Sequence, residues 1–527
     1  MSKETVRVAV VGTGLAGLVT GYLLQTLQLH TKDGLPLHFH VELFEKSAGL
    51  GMDSSSISVE AEGGSFRLDT PMRSINGGSH SSVQGLYKHL DIALRRSDFS
   101  YSFSRLARPP PRPTSTPPPP YSETTPSPSP PNTPEPPLRP EQTSRYLYEG
   151  SNGLKFPPLA FPSPLASASI FTRLAYLFHL ALLSLSYLHL LFLAFFYSSA
   201  GLIKSSTSRR AEQSTARRIA DLLGLSSVAD ESLEKWCRRH WVWKGMQEEV
   251  LVPLYAAVCT VGRTEARGMP IAECLDYIVS TFASSHYVAE VGVQQVVRRL
   301  AAPIPLSSIH LSSTITSIAR TTSPTGASQL ILTLIDGTSP APFDHLIFAT
   351  QANQASSLLS FLPPSSARDT LINALNTFSY IPTLVVNHTD ESILPPNPQD
   401  RRDLNLSSFS PPSSPLEAKL DNEDRGTENT MPMSSIQATH IISRTHPRLA
   451  PKPSRGEGKK QPPLLLLQTT NPLLPISPSH ILSSTWYERA YPTITSHSVL
   501  PGFLLGAEGG GGGGMQNLEK GIWFCGS

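Results

Sequence analysis

The segment from Val6 to Gly17 constrains the fold more than any other part of this chain. An apolar run rich in valine, typical of a buried strand, ends in the spacing Gly12-x-Gly14-x-x-Gly17 and passes directly into a helical pattern. In such a turn Gly12 allows the tight bend, Gly14 lets a pyrophosphate approach the backbone, and Gly17 lets the helix pack on the strand. Free N–H groups at the helix N-terminus favour phosphate. The segment predicts a dinucleotide-binding unit.

A second apolar strand, from Phe39 to Phe44, ends at an acid that suits the same ligand. The carboxylate of Glu45 can accept hydrogen bonds from both hydroxyls of a ribose. A glycine-rich turn in an ordinary α/β domain is the alternative. Strand, turn, helix and terminal acid together favour dinucleotide binding.

Composition limits the classes of protein to which the chain can belong. A length of 527 residues allows two or three domains. With a formal net charge of +2 and 16% charged residues, we expect no nucleic-acid partner. The four cysteines (Cys237, Cys259, Cys274 and Cys525) show neither metal-type nor disulfide-type spacing, so we expect reduced thiols and no metal. The polar start gives no signal peptide, which predicts a cytosolic location.

Three polar stretches interrupt the apolar pattern and are predicted to be disordered insertions. They span 106–145, which is proline-rich, 402–435 and 448–463. Such segments cannot bury enough apolar surface to offset the entropy of ordering them. Within the first, Pro118-Pro-Pro-Tyr121 matches a ligand pattern of WW and SH3-type partners, although chance is the favoured explanation of the match in so proline-rich a run.

An uncharged apolar segment runs from Leu174 to Ile203, within a hydrophobic stretch at 170–203. Its length exceeds the roughly 20 residues that a membrane-spanning helix needs. Arginines at 209, 210, 217 and 218 follow it and suit anionic headgroups. We expect a monotopic membrane contact rather than a crossing. The alternative is a buried helix lining the substrate cavity, with Tyr176, His179, Ser186 and Tyr187 on one face.

Several motifs recur in the same order as in a known superfamily. They are Val10-Val-Gly-Thr-Gly-Leu-Ala-Gly17, Leu43-Phe-Glu-Lys46 with Gly49-Leu-Gly-Met-Asp53, Phe66-Arg-Leu-Asp-Thr-Pro-Met-Arg73, His286-Tyr-Val-Ala-Glu-Val-Gly292, Asp344-His-Leu-Ile-Phe-Ala-Thr-Gln351, Gln468-Thr-Thr-Asn-Pro472 and Gly521-Ile-Trp-Phe-Cys-Gly526. With them the chain resembles the flavin-containing amine oxidoreductases, the superfamily of monoamine oxidases, protoporphyrinogen oxidases and carotenoid desaturases. It is most similar to predicted FAD/NAD-binding oxidoreductases of fungi and bacteria.

The resemblance implies an α/β fold with a Rossmann-like FAD-binding domain of the glutathione-reductase type, built from discontinuous segments. An α+β substrate domain and the hydrophobic helical segment complete the fold. The FAD-binding domain is expected at 1–105, 301–360 and 506–527. The substrate domain is expected at 146–300 and 361–505.

The resemblance also assigns residues to the cofactor FAD. Gly12, Gly14 and Gly17 would hold the pyrophosphate and Glu45 the adenosine ribose. Gly51 and Met52 would lie against the pyrophosphate and ribityl chain, and Met72 and Arg73 near the isoalloxazine. Ile315 would meet the adenine through its backbone, Thr350 would close that pocket, and Gly526 and Ser527 would open the last cofactor helix.

The implied reaction is hydride transfer from a substrate C–H bond to FAD. The long apolar segment suggests a small-molecule substrate of apolar, lipid-like character. No clear catalytic acid or base stands out; His388, beside Asp390, and His440 are weak candidates, each with a structural role as the alternative.

Two departures from the family keep other functions open. Met52 follows Gly51 where many relatives have arginine, and the sequence ends at Ser527, where the family continues into the flavin-facing helix. The alternatives are a non-catalytic membrane-associated protein with a degenerate flavin fold and a nicotinamide-dependent dehydrogenase.

Overall fold

A computed structural model describes residues 4–31, 34–61, 64–108, 140–150, 152–155, 161–203, 215–324, 326–410, 436–445, 465–503, 515–516 and 518–526. The strands, in chain order, are β1 Glu4–Val11, β2 Leu29–His30, β3 Pro36–Phe44, β4 Ile57–Ala61, β5 Gly64–Leu68, β6 Ile75–Asn76, β7 Leu94–Arg96, β8 Tyr101–Leu106, β9 Gln142–Tyr148, β10 His286–Ala289, β11 Ile309–His310, β12 Ile315–Thr322, β13 Ser328–Leu334, β14 His345–Phe348, β15 Ser379–His388, β16 Leu404–Phe409, β17 Ile436–Ile441, β18 Leu467–Thr470, β19 Ile481–Tyr491 and β20 Ile522–Phe524. The helices are α1 Leu15–Thr26, α2 Ser81–His89, α3 Ser163–Ala166, α4 Ile170–Ser199, α5 Thr215–Leu222, α6 Leu233–Arg239, α7 Lys244–Met246, α8 Val252–Cys259, α9 Arg263–Gly268, α10 Ile271–Thr281, α11 Val293–Ala301, α12 Ala352–Leu359, α13 Ser366–Leu375, α14 Ile442–Thr445 and α15 Ile494–Val499.

The cofactor-type sheet is parallel and is assembled from distant segments. Its order is β11-β3-β1-β14-β20, with β2 antiparallel to β3 at one side. Val8 pairs with Val41 on one neighbouring strand and with His345 on the other. Parallel strands end at a common edge, where ligands of such sheets bind. The predicted α/β fold with a discontinuous Rossmann-like domain is confirmed.

A seven-stranded sheet forms the second large unit, in the order β19-β15-β18-β17-β16-β8-β9. Helices pack against it through a continuous apolar core in which Trp236 and Leu275 join Leu406 and Ile436 of the sheet. All four side chains are nearly inaccessible to solvent. This unit has the α+β character expected of the substrate domain.

Helix α4 is apolar on two opposite sides. Ser169 begins it by accepting the N–H of Thr172 at 3.2 Å. One side is buried against the helical core through Leu180, Leu183, Ser186, Leu190, Ala194 and Tyr197. The other side carries an exposed row, called here the apolar stripe, of Phe171, Leu174, Phe178, Leu185, Leu188, Phe192 and Phe195. At about 100° per residue, these seven fall within roughly 120° of arc.

By length and hydropathy α4 could cross a bilayer, and among the described residues it is the one helix that could. Only 33% of its most apolar window is buried. Two of the four polar side chains expected to line a cavity have hydrogen-bond partners within the protein. His179 lies 2.6 Å from the hydroxyl of Tyr146, and the hydroxyl of Tyr187 donates to the Gly153 carbonyl at 3.0 Å.

Two predicted insertions are narrower than the sequence suggested. Leu106 pairs with Gln142, so β8 and β9 form an antiparallel pair that closes both ends of the predicted insertion 106–145. The prediction of disorder at 402–435 is wrong for β16, whose six residues are all buried in the large sheet. A sequence of Leu, Asn, Ser and Phe looks polar, but the side chains of Asn405 and Ser407 are hydrogen-bonded inside the sheet. The remainder of these ranges, and 448–463, lie outside the described residues.

A further boundary differs from expectation. Strand β8 belongs to the large sheet, although the sequence placed its residues 101–105 in the first FAD-binding segment. The helical stretch 233–257 is interrupted at Trp241, whose φ of +52° no right-handed helix accommodates. A π turn at Gln247–Leu251 then precedes α8.

Candidate active site

In the glycine loop between β1 and α1, Gly12 and Gly17 pack closely against backbone atoms, whereas Gly14 faces open space. A Cβ on Gly12, which has a φ of +100°, would lie 2.7 Å from the carbonyl oxygen of Ala349, and one on Gly17 would lie 2.0 Å from that of Gly12. A Cβ on Gly51 would lie 2.8 Å from the carbonyl oxygen of Thr13. No atom lies within 4 Å of a Cβ built on Gly14. Close packing explains why Gly12, Gly17 and Gly51 are glycines. The open space at Gly14 leaves room for a pyrophosphate.

The carboxylate of Glu45 is fixed beside that opening. One of its oxygens accepts the N–H of Thr13 at 3.0 Å and its hydroxyl at 2.6 Å, and the other accepts the N–H of Ser47 at 2.9 Å. The hydroxyl of Thr13 in turn accepts the N–H of Gly51 at 2.9 Å. A carboxylate offers about four acceptor directions. Three protein donors therefore leave Glu45 capacity for one ribose hydroxyl rather than two.

The residues expected around the adenine come together next to Glu45. The N–H of Ser313 donates to the carbonyl of Glu45 at 2.8 Å, which brings the start of β12, with buried Ile315, to the same edge. Thr350 follows β14, and its Oγ1 is buried without a hydrogen-bond partner among the described residues. An orphaned hydroxyl at the ligand-binding edge of the sheet fits a cofactor that supplies its partner. The residues present therefore fit a bound dinucleotide.

The segment expected at the isoalloxazine is held by side chains of the large sheet. The N–H of Met72 donates to the side chain of Gln468 at 2.6 Å. The amide of Gln468 donates to the carbonyl of Asp69 at 3.0 Å and to Asn387 at 2.8 Å. Asn387 then donates to the hydroxyl of Thr70 at 2.9 Å. This polar network fixes the position of the Met72 segment relative to the substrate domain.

A cavity of about 300 Å³ opens beside this segment. Its wall includes Leu68, Asp69, Met72, Arg73, Arg95, Glu290 and Ile442. The Asp69 carboxylate accepts the N–H of Val293 at 3.1 Å, at the start of α11. Burial raises the pKa of Asp69 to about 6, because the charged form loses its hydration there. The cavity thus combines apolar surface with a carboxyl group that takes up protons near neutral pH.

The chain matches the models of two known protein families. Residues 10–90 match the model of the NAD(P)-binding Rossmann-like domain, and residues 175–438, which are 264 of 527, match that of the flavin containing amine oxidoreductases. The chain belongs to the flavin-containing amine oxidoreductases. It is an FAD-dependent oxidoreductase, and the nicotinamide-dependent alternative is not supported. The predicted family, enzyme class and cofactor are confirmed.

Solved structures of similar proteins include an oxidoreductase from Methanosarcina mazei, at 12% identity and a TM-score of 0.47, covering 99% of this chain and 94% of the other. Another is cyclohexylamine oxidase from Brevibacterium oxydans, at 12% identity and a TM-score of 0.41, covering 88% of this chain and 74% of the other. No curated protein sequence matches the chain.

The two candidate histidines of this oxidoreductase lie inside the large sheet and outside the cavity wall. The ring of His388 contacts the Thr469 hydroxyl at 2.8 Å and accepts the N–H of Asp390 at 3.1 Å. The ring of His440 packs edge-on against Phe99. Burial lowers the pKa of both histidines to about 4, so both are neutral at pH 7. Their catalytic role stays a prediction without geometric support.

The last predicted cofactor residues approach the glycine loop from β20. Gly526 has a φ of +72°, and a Cβ there would lie 2.6 Å from the Cβ of Ala16 in α1. Thr20 of the same helix donates to the Cys525 sulfur at 3.4 Å. Met52 is buried, whereas Ser527 lies outside the described residues. These placements are consistent with the predicted roles, which stay predictions.

Sequence reasoning missed the residues that position the Met72 segment. Gln468 belongs to a motif noted in the sequence but was given no role, and Asn387 and Tyr487 were not singled out. The hydroxyl of Tyr487 donates to the Thr70 carbonyl at 2.9 Å. The available signal was a polar residue at an inward position of an otherwise apolar strand, as at Asn387, which is fully buried.

Proposed function

We propose that this FAD-dependent oxidoreductase removes a hydride from a C–H bond of an apolar, lipid-like substrate while attached to one leaflet of a membrane. The apolar stripe of α4 carries the proposal. Phe171, Phe178 and Phe192 each expose two thirds or more of their accessible surface. A continuous exposed row of this kind marks an interaction surface in soluble folds.

The free energy available from the stripe is large. At about 25 cal/mol for each Å² removed from water, burying seven such side chains yields on the order of 10 kcal/mol. The opposite side of α4 is already packed, so α4 cannot turn its stripe inward without exposing Leu183, Leu190 and Tyr197. A bilayer surface can cover the stripe without any change in the fold.

The topology of the cofactor sheet favours attachment over crossing. Strands β1 and β3 precede α4 in the chain, whereas β11 and β14 follow it, and all four pair in one sheet. One crossing by α4 would separate strands that are hydrogen-bonded to each other. The remaining arrangement is an in-plane helix, and we place the cofactor domain on the cytosolic side.

Residues near the C-terminal end of α4 supply further anchors. Leu222 is 86% exposed at the end of α5, which carries Arg217 and Arg218. Arginine side chains favour the anionic headgroup region. The other predicted arginines, at 209 and 210, lie outside the described residues.

The substrate would react at the cavity beside Met72. When bound, FAD supplies the hydride acceptor. The chain's own contribution is to position the substrate and to exclude water, through Leu68, Met72 and Ile442 in the cavity wall. Side chains of α4 do not appear in the described wall, which favours the membrane role of that helix over the cavity-lining alternative.

The membrane role is tested by binding to vesicles of phosphatidylcholine with phosphatidylserine. The double variant Phe178→Glu with Phe192→Glu should stay in the supernatant, while the wild-type protein pellets and is released by detergent rather than by salt. Phe361→Glu is the matched control, because Phe361 is 51% exposed and lies outside α4. Equal pelleting of the wild type and the double variant would refute attachment through the stripe.

The proposed oxidation of an apolar substrate is tested by the visible absorbance of bound flavin and by its bleaching when a substrate reduces the flavin anaerobically. Bleaching by long-chain apolar donors, and not by short polar amines, is the expected result. A flavoprotein that short amines bleach equally would refute the lipid-like substrate. A protein without flavin absorbance would favour the non-catalytic alternative. The predicted WW or SH3-type partner concerns residues outside the described ranges and stays a prediction.

A further inference from the structure

A row of polar side chains crosses three neighbouring strands of the large sheet beside the Met72 segment (residues 69–73). Gln468 of β18 stands opposite Asn387 of β15, and Asn387 stands opposite Ser483 of β19. Residues that are directly opposite in neighbouring strands share one face of the sheet. The side chains are bonded in the same order, because Gln468 donates to Asn387 at 2.8 Å and Asn387 donates to the Ser483 hydroxyl at 2.8 Å. This row is called here the amide row.

The side-chain amide of Gln468 can adopt only one orientation. The N–H of Met72 is a donor, so it requires the oxygen of the amide, which it reaches at 2.6 Å. The carbonyl of Asp69 is an acceptor, so it requires the nitrogen, at 3.0 Å. The second hydrogen of that nitrogen bonds to Asn387, which leaves no donor of Gln468 unused. Gln468 therefore holds the main chain of the segment at two points, and this requires a donor and an acceptor in one side chain.

Two further strands hold Thr70, which lies between those two points. Asn387 of β15 donates to the hydroxyl of Thr70 at 2.9 Å, and the hydroxyl of Tyr487 of β19 donates to its carbonyl at 2.9 Å. Gln468, Asn387 and Thr70 each expose 2% or less of their accessible surface. A fully paired polar network at buried positions specifies a single arrangement. The position of the segment is therefore determined by three strands of the large sheet.

The same segment forms part of the wall of the cavity in which the substrate would react. Met72 lines this cavity together with Leu68 and Ile442. Leu68 and Ile442 pack against Leu466, two residues before Gln468 in the chain. A shift of the segment would change both the cavity and the environment of the flavin expected beside Met72. Transfer reactions depend steeply on such placement, since a displacement of about 1 Å can lower the rate about a hundredfold.

We propose that Gln468 is a positioning residue of this oxidoreductase, which holds the Met72 segment against the large sheet and thereby sets the environment of the flavin. The inference rests on the proposed function, which places the reaction at this cavity, and adds a residue to that site. Gln468 acts through main-chain atoms of the segment and not by contact with the reacting atoms.

The test replaces Gln468 by an acid of the same shape and follows the flavin rather than turnover. In Gln468→Glu the carboxyl group still accepts the Met72 N–H, but when ionised it has no hydrogen for the Asp69 carbonyl. A buried glutamic acid titrates well above its usual range, up to about 8–9. The visible spectrum and the midpoint potential of bound FAD should therefore shift with pH in this variant, with a midpoint between about pH 6 and pH 9. The pKa of Asp69, about 6, is common to all variants, so each curve is read as the difference from wild type.

Gln437→Glu is the matched control, because it places the same acid on the other face of the large sheet. Gln437 of β17 is fully buried and accepts the N–H groups of Leu473 and Leu474 at 2.9 and 3.1 Å. Thr439, on the same face as Gln437, stands opposite Thr469, whereas Gln468 precedes Thr469 and faces the other way. This variant should have a lower thermal midpoint but a flavin spectrum with the pH dependence of wild type.

Asn387→Asp tests the direction of the hydrogen bonds in the amide row. The partners of Asn387 at Thr70 and Ser483 are hydroxyls, which can donate to a carboxylate instead of accepting from an amide. The Asp69 carbonyl beside Gln468 cannot reverse its role in this way. The flavin should therefore respond less to Asn387→Asp than to Gln468→Glu.

A flavin spectrum and potential of Gln468→Glu that follow wild type at every pH would overturn the proposal. So would an equal response of Gln437→Glu, because that indicates a general loosening of the sheet. If Gln468→Glu does not fold, Tyr487→Phe removes the bond to the Thr70 carbonyl and should shift the flavin potential, and an unchanged potential would again overturn the proposal. Absence of flavin from the wild-type protein refutes the proposed function, whereas a flavoprotein that does not respond to these changes refutes only this inference.

Discussion

Replacement of Gly14 by alanine should separate cofactor binding from folding. Gly14 has a φ of −61°, which alanine adopts without strain, and its added Cβ would meet no atom within 4 Å. The apoprotein should therefore gain about 0.4–1 kcal/mol in free energy of unfolding, because alanine restricts the unfolded chain. A pyrophosphate packed on the Gly14 backbone would instead meet the new methyl group. Overpacking of about 1–3 kcal/mol corresponds to roughly 5- to 150-fold weaker FAD binding.

The assay measures the thermal midpoint of the apoprotein and its FAD affinity by quenching of flavin fluorescence. Gly268→Ala is the control, because a Cβ there also meets no atom within 4 Å and Gly268 ends α9, far from the glycine loop in sequence. Unchanged FAD affinity in the Gly14 variant would refute a pyrophosphate at this position. A lower thermal midpoint would refute the open geometry of the loop.

Three further changes test other parts of the structure. Glu45→Ala should weaken FAD binding by about 1–3 kcal/mol, measured by equilibrium dialysis, because a charge-assisted ribose contact is lost together with the bonds that fix Thr13; full affinity would exclude Glu45 from the site. Asp69 has a pKa raised from 3.8 to about 6 by burial, so the folded protein holds its proton more tightly and loses stability as pH rises through that range. Relative to wild type, Asp69→Asn should gain about 3 kcal/mol between pH 4 and pH 7 in urea unfolding, and a difference independent of pH would contradict this. Deleting 109–139 should leave the thermal midpoint and flavin content unchanged, since β8 and β9 already pair at Leu106 and Gln142; a large loss of either would show that the segment is structural.

Local patterns were sufficient to predict the cofactor edge of the fold. The cofactor edge is built from one strand, one turn, one helix and the acid that ends the next strand. All of its predicted residues, Gly12, Gly14, Gly17 and Glu45, therefore lie within about forty residues of sequence and could be recognised from local patterns. The structure adds only their mutual contacts, such as the bond from Thr13 to Glu45.

The environment of the Met72 segment could not be predicted in the same way. Met72 and Gln468 are separated by 396 residues, and Thr70 and Tyr487 by 417. No local periodicity encodes such partners, because the register between β15 and β19 decides which side chains face the segment. Likewise β16 looked like part of a polar insertion, because its sequence does not show that hydrogen bonds inside the sheet make Asn405 and Ser407 compatible with burial.

The order of strands in the cofactor sheet has a consequence for biosynthesis. The N–H of Arg7 on β1 donates to the carboxylate of Asp344, 337 residues later in the chain. At a ribosomal rate of about 5–20 residues per second, β1 waits roughly 20–70 s before β14 exists to pair with it. Throughout that interval one edge of an apolar parallel strand is open to other nascent chains, while the stripe of α4 emerges as well. Heterologous production should therefore depend strongly on chaperone supply.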